Sequence, residues 1–124
     1  MIRELLAVGC GGAVGSIARY LLSYYTLAGH TLFGFPAGTF AVNLIGSLLI
    51  GILLSVLDSA TFTWLLVIGF CGGFTTFSTF SADVVRLLQA GSYLAAALYI
   101  LASVVCCVVC VAGGMWIGQV LKIN

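Results

Sequence analysis

Residues 69–81 read GFCGGFTTFSTFS, with five hydroxyl side chains and three phenyl rings on or after the pair Gly72 and Gly73, in a chain that is otherwise almost all hydrocarbon. Glycine weakens a helix, and lipid offers no water to freed backbone groups. Broken backbone at membrane depth is tolerated only where protein or a wet cavity surrounds it. The run therefore predicts a helix interrupted at the Gly-Gly pair, carrying a pathway or an ion site. Loss of helical bonds around Gly72 to Thr75 leaves carbonyl oxygens free, and carbonyls bind cations.

The flanking sequence sets the class. Of 124 residues, 63% are hydrophobic and 6% are charged, against roughly a quarter charged in a soluble domain. Mean hydropathy is +1.30. Apolar stretches of about 20 residues suit membrane spans, and four fit, at roughly 4–28, 36–57, 63–88 and 92–121. The expectation is an all-α membrane protein forming one channel-sized domain over residues 1–124, its first stretch a span and not a cleaved leader. The lone proline, Pro36, suits the first turn of the second helix. Gly11 and Gly15, Gly69 and Gly73, and Gly114 and Gly118 each stand four apart, a spacing that lets helix backbones approach closely in lipid. So small a bundle is expected to be an oligomer.

Orientation is balanced. Arg3 and Lys122 flank one side and Arg86, with Arg19, the other, which leaves the positive-inside rule nothing to choose by. Dual topology and an antiparallel homodimer follow as a hypothesis.

Polar residues inside spans mark function or packing. Arg19 reads either as a snorkelling arginine or as a fixed charge that draws anions. Asn43 either bonds between helices or offers amide donors to an ion. Asp83 and Arg86, three apart on one helix, can pair, and Asp83 lies either in that ion pair or in the pathway. Phe77 and Phe80 share a helix face, and a phenyl edge is positive enough to meet an anion. Cys106, Cys107 and Cys110 lie in an apolar run without a basic group or a histidine, as do Cys10 and Cys71, and read as packing. The sole histidine, His30, is in a connector, no serine has a base at motif spacing, and no phosphate-binding loop is present. Enzymatic and nucleotide-binding readings find no partners, and the four basic residues form no nucleic-acid footprint.

The order GGAVGSIARY, PAGTFAVNLIGS, GFCGGFTTFSTFSAD and YILAS closely resembles the Fluc fluoride channels, also called CrcB proteins, over all four spans. The resemblance implies a fluoride-selective channel in the bacterial inner membrane. It implies passive export from the cytoplasm that lowers fluoride toxicity, two pores per antiparallel, dual-topology homodimer, and a structural sodium ion between subunits. It further implies that Asn43, Phe77 and Phe80 line the pore, with Thr39, Ser78, Thr79, Tyr99 and Ser103 as a polar track. The carbonyls of Gly72 and Thr75 would hold sodium, and Arg19 matches an arginine near the end of the first helix. Asp83 stands where the family commonly has Glu, and Cys107 where a hydroxyl is more usual. The alternative is a small four-span proton-coupled exporter, which requires a carboxylate deep in its first span, where only Glu4 is present; a third class is a non-transporting structural subunit.

Overall fold

The computed structural model describes residues 1–123. Four helices are long and apolar enough to cross a membrane, Ile2–Thr26, Ala37–Val56, Ala60–Gln89 and Tyr93–Lys122. The first begins as α1 (Ile2–Tyr20) and widens into a π-helical turn over Leu21–Thr26. A two-strand hairpin follows, β1 (Thr31–Leu32) against β2 (Phe35–Pro36). Its tip residues, Phe33 and Gly34, both have positive φ, 52° and 88°, as mirror-image hairpin turns require. That turn folds Phe35 back into the core, where it is 1% exposed. Pro36 thus ends a strand and caps the second span, α2 (Ala37–Val56), instead of occupying its first turn.

The third span is built in pieces: α3 (Ala60–Phe62), a π-helical stretch (Thr63–Cys71), α4 (Gly72–Phe74) and α5 (Phe77–Gln89). The fourth is one helix, α6 (Tyr93–Ile123). The interruption does not fall at the glycine pair as the sequence predicts. Gly72 is helical, with φ −61° and ψ −38°, and extended backbone begins at Thr75 (ψ 159°) and Thr76 (ψ 111°). Glycine costs a helix only about 1 kcal/mol, which packing offsets here. A side chain at Gly73 would meet the Gly12 carbonyl oxygen at 2.6 Å.

Glycines organise two close helix pairs. In one, Gly11 and Gly15 of α1 lie against the Leu65 and Phe70 carbonyls of the third span; in the other, Gly51 of α2 abuts Val111 and Gly114 of α6. Neither crossing leaves room for a Cβ, which is why these spans associate without a hydrophobic force between them. Side chains such as Leu5, Val105, Val109 and Trp116 point outward, as expected where lipid is the solvent. Lys122 bonds Asp58 at 2.9 Å, which sets the end of the fourth span beside the second connector.

Candidate functional site

A broken span orphans backbone groups that an unbroken helix would pair. Three of the groups freed here find a side chain from another span. Asn43, on α2, faces the break with both ends of its carboxamide: Oδ1 accepts the Thr76 N–H at 2.8 Å, and Nδ2 donates to the Thr76 carbonyl at 3.1 Å. Arg19, on α1, donates through Nε to the Gly73 carbonyl at 3.0 Å. Thr76 then caps α5, its hydroxyl oxygen accepting the Thr79 N–H at 3.2 Å and its O–H bonding the Thr79 hydroxyl at 3.1 Å. Thr75 turns its hydroxyl back to the Cys71 carbonyl at 2.8 Å. Because Asn43 takes the Thr76 N–H, the Gly72 carbonyl loses its normal helical donor.

Beyond the break, α5 and α6 bring together an aromatic and polar cluster. Tyr99 is fully buried, its ring stacked on Phe35 (centroids 4.8 Å, 15° between planes) and nearly perpendicular to Phe80 (4.8 Å, 68°). Its hydroxyl donates to Asp83 at 3.0 Å. The other Asp83 oxygen accepts from Arg86 at 3.3 Å, the ion pair expected from their spacing. The carboxylate, one methylene shorter than glutamate, does reach a hydroxyl partner. Asp83 is buried while Arg86 stays exposed.

Two openings lie beside this cluster, one bordered by Phe80 and the other by Asp83. One is a cavity of about 220 Å³ lined by Thr39, Thr79 and Asp83, with Ser23, His30 and Arg86 at its wall. The other is a groove of about 600 Å³ whose lining includes Asn43, Thr75, Phe77, Phe80, Ser103 and Cys107, all uncharged. Phe77 and Phe80 face each other at 5.6 Å and 46°. Phe80 is buried, but Phe77 is 78% exposed. The Ser103 hydroxyl, buried one turn after Tyr99, has no hydrogen-bond partner among the described residues.

Of the residues singled out from sequence, Asn43, Phe77, Phe80, Ser103, Gly72 and Thr75 share the groove, and Thr39, Thr79 and Asp83 share the cavity. Tyr99 lines neither opening; its ring contacts Phe80 of the groove and its hydroxyl bonds Asp83 of the cavity. Ser78 lines neither; it is exposed, 3.4 Å from the Thr76 hydroxyl. Arg19 also lines neither opening. Thr76 and Phe35 hold the site without having been singled out. A threonine directly ahead of a helix is an ordinary N-cap signal, whereas nothing in a connector points to Phe35. The five cysteines are free; Cys71 and Cys107 face the groove, and no metal-binding group of His, Cys, Asp and Glu occurs among the described residues.

Comparison with known proteins places this geometry in context. The family described as CrcB-like protein, Camphor Resistance (CrcB), matches residues 6–115. A protein of Geobacter sulfurreducens named fluoride-specific ion channel FluC is 47% identical over 121 residues, 92% of each chain. Proteins of that name from Leptospira interrogans (42% identical, covering 92% of this chain and 93% of its own) and Bacteroides fragilis (39%, 98% and 100%) are similarly related.

Proposed function

The chain belongs to the CrcB family, and on that premise we propose how its residues conduct and select the ion. It is a fluoride-specific channel, an integral membrane protein of four spans. Fluoride enters the groove between the second, third and fourth spans, passes Phe77, Phe80 and Ser103, and continues past Tyr99 toward Thr39, Thr79 and Asp83. The observation that carries this route is the Ser103 hydroxyl, buried and unpartnered among the described residues where it borders the groove. A buried hydroxyl without a partner is costly, and an anion or its water satisfies it.

The groove holds no charged side chain, so a fixed ionic site does not trap the anion there. Hydroxyl donors and phenyl edges replace the water that a small, strongly hydrated ion gives up. Phe80 is suited to this because Tyr99 stands nearly perpendicular to it at 4.8 Å and is itself held by Asp83. The exporter alternative lacks its deep first-span carboxylate, because Glu4 sits in the first turn beside the chain's amino terminus at 4.0 Å.

Two copies meeting in opposite orientations complete the channel, with two pores per dimer. The exposure of Phe77 at the groove supports a second chain beside it. Gly72 supports it too: a Cβ there would meet nothing within 4 Å, which leaves room for a second chain beside it, and its carbonyl is deprived of a helical donor. Neutral carbonyl oxygens fit a hard monovalent cation. Gly72 and Thr75 would hold a structural sodium ion, whose charge would offset carbonyl dipoles gathered from both copies. Export is passive and relieves fluoride toxicity.

Proteoliposomes loaded with fluoride and chloride test the reading. Fluoride escapes rapidly without a proton gradient while chloride stays. Retention of fluoride by vesicles containing the assembled protein would refute it.

A further inference from the structure

We propose that Arg19 is a positioning residue of the third-span break, acting through the N–H of its Nε and not through its charge. The inference rests on the channel reading above. Helical side chains lean toward the helix N-terminus. For Arg19, seven residues before the end of the span at Thr26, that direction leads away from the nearer membrane surface. A snorkelling arginine turns the other way. Nε instead donates at 3.0 Å to Gly73, 54 positions along the chain.

The Gly73 carbonyl is the acceptor that an unbroken helix would offer to the Phe77 N–H. Phe77 lies across the break, as the first residue of α5. Arg19 therefore substitutes for the missing backbone donor, as Asn43 does for the groups of Thr76. The two splints come from different spans and hold the two sides of the interruption. Close contact of Gly73 with Gly12 brings α1 within reach. The Ser23 hydroxyl bonds the Arg19 carbonyl at 2.7 Å, which ties down the turn from which the side chain extends. Anion attraction finds no matching geometry, because Arg19 lines neither the groove nor the cavity.

Three substitutions separate donor from charge. Arg19→Gln places an uncharged N–H as many bonds from Cα as Nε. Arg19→Lys keeps a positive charge but puts a methylene at that position, and Arg19→Met supplies length with neither. Fluoride efflux is measured per assembled dimer, quantified by size exclusion. Gln is expected within about threefold of wild type, and Lys and Met to fall by about fivefold or more, the consequence of leaving the Gly73 carbonyl without a donor. Lys active with Gln inactive overturns the proposal in favour of charge. All three active, or all three inactive, overturns it as well. If Met does not assemble, Gln against Lys decides alone; a Gln variant that does not assemble also counts against the proposal. Wild-type protein without efflux refutes the channel reading itself, separately from these outcomes.

Discussion

Replacing Asn43 with alanine removes both hydrogen bonds that hold Thr76, at 2.8 and 3.1 Å, and strands an N–H and a carbonyl inside the bundle. An orphaned buried group costs about 1–3 kcal/mol. Side-chain bonds between membrane helices average nearer ~0.6 kcal/mol, because the separated helices find other partners. Taking about 1 kcal/mol for each bond gives about 2 kcal/mol, or ~30-fold in the equilibrium constant for correct placement of α5. Phe77 and Phe80 ride on α5 directly behind Thr76, so the misplaced fraction has no ordered ring pair. Asn43→Ala should lower the thermal midpoint of the purified dimer and cut fluoride efflux at least tenfold. Asn43→Asp keeps the acceptor for the Thr76 N–H but faces the Thr76 carbonyl with an anion and puts negative charge in an uncharged groove. Its efflux should be no better than that of Asn43→Ala, although its midpoint falls less. Wild-type efflux and midpoint in Asn43→Ala would refute the splint.

Tyr99→Phe removes the donor to a buried carboxylate and should cost about 1–3 kcal/mol; a double-mutant cycle with Asp83→Asn, read from denaturation midpoints, should give a coupling of about 1 kcal/mol, and additive effects would show that the 3.0 Å bond contributes nothing. Phe80→Ile keeps bulk and deletes the ring edge, so fluoride efflux should fall sharply while size exclusion still shows a dimer; unchanged efflux removes Phe80 from the route. Gly11→Ala drives a methyl onto the Leu65 carbonyl and should prevent folding, whereas Gly9→Ala, with nothing within 4 Å, should be silent. Gly72→Ala clashes with nothing in one chain, so a loss of dimer or of sodium-dependent stability in that variant reports the second copy, and indifference argues against it.

Much of this site was legible in the residues. Asn43, Phe77 and Phe80 stood out because polar and aromatic groups in hydrocarbon need a reason, Ser103 came only with the family resemblance, and all four line one groove. The break was misplaced by a few residues because glycine is the stronger local signal. Thr75 and Thr76 open the helix through a partner 33 residues away, which local propensity does not see. Asp83 was weighed as a surface ion pair because Arg86 is three residues off. Its tighter partner, Tyr99, is on the next span.

What composition and spacing determined by themselves were the spans and the close helix contacts. Hydrocarbon length and the absence of a Cβ are properties of residues that need no knowledge of neighbours. Each span lies within three residues of its sequence-based range. The tertiary structure alone decided which freed backbone group each side chain satisfies. Arg19, read as snorkelling or anion-drawing, reaches Gly73 only because α1 and the third span touch along glycines. Phe35 supports Tyr99 only because a tight turn folds a connector inward. Hydrogen bonds and ring contacts act over a few ångströms, and folding sets which residues come within that distance.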